Sequence, residues 1–188
     1  MNRKITDLTT LVNTISLNDN SGAYKKLFTI LFPGIYRFSF CLLKSKDQAE
    51  EVANKVMIDI WRNRQKLFEI TNIRVFAFVM ARNLSLNMLK KQMKKETIFL
   101  DDLEVELVLN TPGPEQILIN EEVKYKLETA VKSLPTKCKL VFKLIKEEAL
   151  TYKETAEILE LSVKTVDGHF TTAIKKLTSS LKVEFNLA

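Results

Sequence analysis

Apolar residues recur at intervals of three and four along most of the chain, which is the spacing of one face of an α-helix. No segment alternates apolar and polar residues convincingly, as a half-buried strand would. Only four glycines and four prolines interrupt the 188 residues. The pattern therefore predicts an all-α protein.

Five helices are predicted in the first half of the chain. The first extends from about Ile5 to Ile15, and the polar run 18–22 ends it, with Ser21 expected to cap the next helix. Two short helices are expected to separate at Pro33-Gly34. Two longer ones are predicted over about 47–68 and 73–95. Their expected apolar stripes are Ala49, Val52, Ala53, Val56, Ile60 and Trp61 on the first, and Phe76, Val79, Met80, Leu84 and Leu89 on the second.

An acidic segment divides the chain. Residues 96–114 contain five Asp and Glu but no Lys or Arg, and they end in Thr-Pro-Gly-Pro, which disfavours a helix. We therefore predict two small helical domains, 1–95 and 115–188, joined by a flexible linker. The first domain holds 17 Lys and Arg against 7 Asp and Glu, and the second holds 12 against 11. The excess of positive charge in the first domain favours a polyanionic partner.

The second domain carries the pattern of a helix-turn-helix motif. Helices are expected over 115–132 and from Pro135 to about Glu147. Residues 151–154 form a capping box that starts a further helix ending near Leu161, and Ser162 is placed to cap the next. In such a motif the second helix enters the major groove of DNA, although an ordinary helical hairpin gives the same pattern. The candidate DNA contacts are Lys164, Thr165, Asp167, Gly168, His169, Thr171, Thr172 and Lys175.

Catalytic and metal chemistry have little support in the sequence. It contains no phosphate-binding loop, metal-ligand spacing or nucleophile elbow, and His169 is interpreted as a polar surface contact rather than a base. Cys41 and Cys138 are expected to be reduced core residues. No signal peptide and no apolar run of about 18 residues is evident, which predicts a cytoplasmic protein without membrane insertion. We expect no cofactor, bound metal or small-molecule substrate.

Two segments of the first domain resemble region 2 of the extracytoplasmic-function (ECF) group of the sigma-70 family. They are residues 49–61 and 72–91, the latter with Ala81-Arg82-Asn83 after an aromatic-rich start. Residues 114–177 are similar to region 4 of the same group. The resemblance implies a sigma factor that binds core RNA polymerase and promoter DNA and catalyses no reaction. It also implies an anti-sigma factor, often membrane-bound, as a further partner.

The resemblance implies two sets of functional residues in the first domain. Core polymerase would be bound by Glu50, Glu51, Asn54, Lys55 and Asp59, with a solvated helix face as the less favoured interpretation of the acidic pair. The family usually has Gln followed by an acidic residue in place of Asn54-Lys55, and Phe in place of Met57. The melted minus-ten DNA would be bound by Phe68, Asn72, Arg74, Arg82, Asn83, Lys90 and Lys91. Trp61, Phe76 and Phe78 are expected to be core residues.

Three other classes of protein remain as alternatives. A helix-turn-helix regulator that does not bind core polymerase would also carry a stretch like residues 162–166. Its sensor domain, however, would normally be α/β, and residues 1–95 do not alternate strand and helix. An enzyme and a purely structural helical adaptor have less support. The linker either crosses the polymerase cleft, as the resemblance implies, or is a plain solubilising tether.

Overall fold

The computed structural model describes residues 3–92, 129–131 and 133–184, and these residues are almost entirely helical. The all-α prediction is confirmed, since no strand occurs in the described ranges. The chain divides into two compact units, Met1–Glu96 with Glu157–Leu159 and Thr97–Ala156 with Glu160–Ala188. The linker 96–114 and the helix predicted over 115–128 lie outside the described residues, and the domain boundaries stay a prediction.

Four α-helices and one 3-10 helix form the first unit. They are α1 (Arg3–Asn18), α2 (Ser21–Leu43), α3 (Lys46–Arg62), the 3-10 segment (Arg64–Glu69) and α4 (Ile73–Gln92). Helix α2 packs against α1, α3 and α4, and α1 also packs against the 3-10 segment. Leu27 and Ile35 of α2 are completely buried. The core therefore surrounds α2.

The cap of α2 differs from the prediction by one residue. The Asn20 side-chain oxygen accepts a hydrogen bond from the Ala23 N–H at 2.8 Å, and Ser21 is already the first helical residue. Asparagine is as good an N-cap as serine, so the polar run offered two candidates that composition alone does not separate.

The predicted break at Pro33-Gly34 is wrong, because α2 continues through both residues. Proline has no N–H to donate to the Thr29 carbonyl and costs about 3 kcal/mol inside a helix. Pro33 lies on the exposed side, however, while Leu31 and Ile35 beside it are buried. Full burial of such side chains contributes roughly 1.5–3 kcal/mol each, and the apolar face runs through both halves of the helix. Burial therefore outweighs the missing hydrogen bond.

Helix α2 is also the one described helix long and apolar enough to cross a membrane, with a mean hydropathy of 1.4 over its best window. The sequence prediction that no such run exists is wrong, because Lys26 and Arg37 interrupt the run without lowering its mean hydropathy enough. In the structure, 56% of that window is buried among the other helices. The composition therefore fits the central helix of a packed core.

The long helix predicted over 47–68 ends early. Helix α3 stops at Arg62, and the chain continues as a 3-10 helix from Arg64. At the junction the Asn63 side-chain amide donates to the Asp59 carbonyl at 2.8 Å. Asparagine competes in this way for backbone partners and disfavours further α-helix. The predicted stripe on α3 is buried, except that Trp61 is half-buried.

The stripe predicted for α4 is displaced around the helix. Leu89 and Phe78 are buried as expected, but Phe76 is 37% exposed, and Val79, Met80 and Leu84 are only half-buried. The buried face instead includes Ile73, Val75, Ala77, Ala81, Arg82 and Ser85. The search for large apolar residues did not predict this face, because several of its residues are small or polar. Close helix packing needs small side chains as well as large ones.

Three helices are described in the second unit: α5 (Thr136–Lys146), α6 (Tyr152–Leu159) and α7 (Val163–Glu184). The turn at 133–135 is as predicted, with Pro135 as the N-cap of α5. Helix α5 packs against α7. The core cluster there consists of Ala130, Val131, Leu134, Cys138, Ala173 and Leu177. Both cysteines, Cys41 and Cys138, are buried thiols outside any disulfide, as predicted.

Replacing Pro33 by alanine should stabilise the first unit. The change restores an N–H donor to α2, and we expect the free energy of unfolding to rise by roughly 1–2 kcal/mol after allowance for the greater freedom of the unfolded chain. Urea unfolding followed by the fluorescence of Trp61 measures it. Leu31→Ala is the control, since Leu31 is 2% exposed and its truncation should cost roughly 2–5 kcal/mol. A lower urea midpoint for Pro33→Ala would contradict the explanation of the uninterrupted helix.

Candidate nucleic-acid interface

Helix α6 begins with the capping box predicted from the sequence. The Glu154 N–H donates to Thr151 Oγ1 at 3.2 Å, and the Thr151 N–H donates to Glu154 Oε2 at 2.7 Å. Each side chain therefore satisfies an amide left unpaired at the helix start. The first helix of the motif is fixed at its N-terminus by its own residues.

The turn between α6 and α7 contains only residues 160–162. Glu160 takes a left-handed conformation with φ 54°, and the Leu161 N–H donates to the Ala156 carbonyl at 3.0 Å. This is the usual way in which a helix ends at a left-handed residue. Ser162 Oγ then accepts from the Thr165 N–H at 3.0 Å and caps α7, as predicted. The short, doubly capped turn sets the direction of α7.

Helix α7 has two opposite faces. Val166, Ala173 and Leu177 are buried at spacings of seven and four residues. Phe170 between them is half-buried, with its ring 5.6 Å from that of Tyr152 and 6.5 Å from that of Phe142. The packed face holds α7 to the rest of the unit, which leaves the opposite face for solvent or a partner.

The eight candidate DNA-contact residues of α7 are exposed, apart from the half-buried His169. Two of the threonines also bond within the helix start or turn: Thr165 Oγ1 lies 2.7 Å from Ser162 Oγ, and Thr172 Oγ1 donates to the Gly168 carbonyl at 2.8 Å. Lys164 and Lys175 are three turns apart on the exposed face. This surface combines cations with short polar side chains, which is the composition of a DNA-recognition helix.

His169 is tied to the core by a contact that the sequence did not reveal. Its Nδ1 lies 3.8 Å from Sγ of the buried Cys138. Burial raises the pKa of the Cys138 thiol, which favours the protonated form that can donate a hydrogen bond. No sequence pattern indicates this contact, because the two residues lie on different helices, 31 positions apart.

On α3, the predicted polymerase-binding residues form one exposed face. Glu50, Glu51, Asn54 and Lys55 are exposed, and Asp59 is half-buried. Lys55 Nζ lies 3.5 Å from Asp59 Oδ1, so part of the charge of Lys55 is balanced within the helix. Sequence reasoning missed Ile58, which is 46% exposed on the same face. A single exposed apolar side chain is common on protein surfaces, so Ile58 adds an apolar contact to this face without marking an interface by itself.

The 3-10 segment that follows α3 is fastened to the α1–α2 corner. Arg64 forms an ion pair with Asp19, with Nη2 3.2 Å from Oδ2, and lies 4.6 Å from the centre of the Trp61 ring. Ser16 Oγ donates to the Gln65 carbonyl at 3.1 Å. The hydrogen bond from Arg64 lowers the pKa of Asp19 below its usual value. The stabilisation by this ion pair is therefore complete above the ordinary pKa of an aspartate and is lost as the pH falls through the lowered pKa of Asp19.

The predicted minus-ten residues lie along the 3-10 segment and α4 in different environments. Phe68 is 62% exposed, Asn83, Lys90 and Lys91 are exposed, and Arg74 is half-buried. Asn72 caps α4. Arg82, expected to contact the DNA backbone, is only 8% exposed, and its Nη1 donates to Asn83 Oδ1 at 3.1 Å. The structure thus gives Arg82 contacts that orient Asn83, while the aromatic Phe76 adds an exposed ring to this region.

In the described part of the chain, no group of three or more His, Cys, Asp or Glu side chains is arranged to hold a metal ion. The buried charged side chains Lys139 and Lys143 lie on α5, outside the surfaces described above. The exposed faces of α3, α4 and α7 are therefore the candidate functional surfaces.

Comparisons with known proteins point to one family. Residues 124–177 match the family described as Sigma-70, region 4. RNA polymerase sigma factor FliA of Escherichia coli strain K12 is 28% identical over 131 residues, which are 70% of this chain and 49% of FliA. FliA proteins of two other E. coli strains match equally. The chain thus spans about half the length of the curated relatives it matches.

Two solved structures share the fold. One is the sigma factor RpoE in complex with the anti-sigma factor NepR from Bartonella quintana, with a TM-score of 0.61 and 19% identity over 85% of this chain and 97% of that one. The other is CnrH in complex with the cytosolic domain of CnrY, with a TM-score of 0.60 and 15% identity over 94% and 98%. At these identities the likeness establishes the fold.

The role of Asn72 as the N-cap of α4 can be tested by substitution. Its Oδ1 accepts from the N–H groups of Arg74 and Val75 at 3.1 and 3.2 Å. Asn72→Ala should lower the free energy of unfolding by about 1 kcal/mol, whereas Asn72→Asp keeps the cap and should leave it within about 0.5 kcal/mol. Urea unfolding monitored by Trp61 measures both. Equal losses for the two variants would show that the cap does not stabilise α4.

Proposed function

We propose that this chain is a member of the sigma-70 family, an RNA polymerase sigma factor of the ECF type that binds core polymerase and directs it to promoters. One observation carries the proposal. The match to sigma-70 region 4 ends at Leu177, a buried residue of α7, and so covers the whole capped motif and its exposed polar face. The fold shared with RpoE and CnrH supports the same assignment for the first unit.

Recognition of the upstream promoter element is proposed for α7. With its packed face towards the core, the helix offers its other face to the major groove, where Lys164 and Lys175 would bind phosphates on either side. Asp167 and His169 stand where relatives often carry arginine. Their shorter side chains imply a different preferred sequence, since arginine pairs typically with guanine.

DNA opening is proposed for the surface formed by the 3-10 segment and α4. Extruding a base costs a few kcal/mol, and stacking it on an aromatic ring returns about 1–3 kcal/mol. The exposed rings of Phe68 and Phe76 supply stacking surface. Asn83 would bond to the base edge, held in orientation by Arg82. Arg74, Lys90 and Lys91 would neutralise the phosphates of the single strand.

Core polymerase is proposed to bind the exposed face of α3. The acidic pair Glu50 and Glu51 supplies charge for orientation, and Ile58 supplies an apolar contact. Lys55 stands where the family usually has an acidic residue, but its ion pair with Asp59 offsets part of the added positive charge. The electrostatic difference from the family is therefore smaller than the substitution alone suggests. We therefore propose that the family mode of core binding is retained.

Regulation by an anti-sigma factor is part of the proposal. RpoE and CnrH were both solved bound to a second protein, and NepR is an anti-sigma factor. An equivalent partner would cover the same surfaces that bind polymerase and DNA. The chain is proposed to act in the cytoplasm, where polymerase and DNA are found, and to catalyse no reaction of its own.

Run-off transcription tests the proposed function. Core polymerase from the native host is incubated with fragmented genomic DNA, with and without the full chain. We expect discrete new transcripts only when the chain is present. Failure of both transcription and co-purification with core polymerase would overturn the sigma-factor proposal. DNA binding without core binding would instead support the helix-turn-helix regulator.

A matched pair of substitutions tests the α3 surface. Asn54→Lys places a cation among Glu50 and Glu51 and should weaken core binding about tenfold by disturbing the charge pattern. Asn13→Lys makes the same chemical change at an exposed position of α1 and should leave core binding unchanged. Both are measured by titration with fluorescent core polymerase, with circular dichroism to verify folding. Equal affinities for the two variants would exclude this face of α3 from the interface.

A further inference from the structure

Gly168 lies inside α7, where glycine is less favourable than alanine because its backbone loses more freedom on folding. Two structural needs commonly explain such a glycine, a left-handed backbone and a crowded neighbour. Neither applies here: no described glycine has positive φ, and a Cβ built on Gly168 meets no described atom within 4 Å. The packing of the described chain therefore leaves this glycine unexplained.

The position of Gly168 on the helix is informative. Lys164, Gly168, Thr172 and Lys175 follow one another at helical spacing and form a single exposed row. The row lies opposite the buried Val166, Ala173 and Leu177, because each of its members is about half a turn from one of them. Gly168 is thus near the middle of the surface that faces away from the core.

The dimensions of the row match the groove that it would enter. Lys175 lies eleven positions after Lys164, which corresponds to about 16 Å along a helix axis. The major groove of DNA is about 12 Å wide, so lysines at the two ends can reach phosphates on both sides while the centre of the row lies over the bases. The central side chains, at Asp167, Gly168 and Thr171, are short or absent. Such side chains reach base edges only if the helix backbone comes close.

We infer that Gly168 is the point at which the α7 backbone comes closest to the base edges of promoter DNA, and that it is a specificity-determining residue. The inference rests on the proposed function. A side chain at this position would hold the helix away from the groove floor by about the width of a methyl group. Asp167 and Thr171 would then lose their reach, while the longer lysines would keep their phosphate contacts.

The test uses the full chain with core polymerase and a duplex recovered from the genomic fragments that the wild-type protein and core bind. Gly168→Ala should raise the melting temperature by roughly 1–4 °C, because it removes freedom from the unfolded chain. The same change should weaken binding to the recovered duplex about tenfold or more. Binding to a random-sequence duplex should fall less, so that the specificity ratio decreases. Gly168→Leu should give a larger loss on the recovered duplex.

Two further variants interpret the result. Thr178→Ala raises helix propensity at an exposed position ten residues beyond Gly168 and should leave the DNA affinity unchanged. An equal loss for Thr178→Ala would assign the effect to helix stabilisation and overturn the inference. If Lys164→Ala weakens binding but Gly168→Ala does not, the inference is overturned and the proposed function stands. If the wild-type protein with core binds no fragment, both are overturned.

Discussion

Burial of α2 is the interaction on which the first unit depends. Three helices pack around it, and the burial is strong enough to keep the helix continuous through Pro33. Because α1 packs against both α2 and the 3-10 segment, the core also determines where the exposed ring of Phe68 is presented. The packed helices thus support the 3-10 segment, on which the proposed base capture would depend.

The second unit also keeps its stabilising residues apart from the residues proposed to bind a partner. The side-chain cap at Thr151 fixes the start of α6, the left-handed Glu160 ends that helix, and the side-chain cap at Ser162 starts α7. A single apolar face then holds α7 in place. In both units, the residues that stabilise the fold and the residues proposed to bind partners lie on different faces of the same helices.

The helix-turn-helix motif was predictable in detail because its signals are local. A capping box and a serine cap depend on residues three positions apart, so the sequence alone defines them. The fold class was predictable for a related reason, since helical spacing extends over most of the chain. The break at Pro33 was predicted wrongly because tertiary burial overrode a local preference. The face of α4 was missed because Arg82 and Ser85 occupy core positions where apolar residues were expected.

The contacts that set the candidate surfaces could not be predicted. Arg64 meets Asp19 across 45 positions, and His169 meets Cys138 across 31. Such pairs carry no spacing rule, because they depend on how separate helices pack. The exposure of Ile58 and Phe76 has the same origin. Sequence analysis named the candidate helices, and the structure was needed to determine which of their side chains are exposed.

The two-faced construction of α7 has an evolutionary consequence. Substitutions along its exposed row change none of the buried contacts of Val166, Ala173 or Leu177. If α7 binds promoter DNA as proposed, mutations that alter promoter preference can therefore accumulate without a loss of folding, and a duplicated copy of such a gene can diverge towards new promoters while remaining a stable protein.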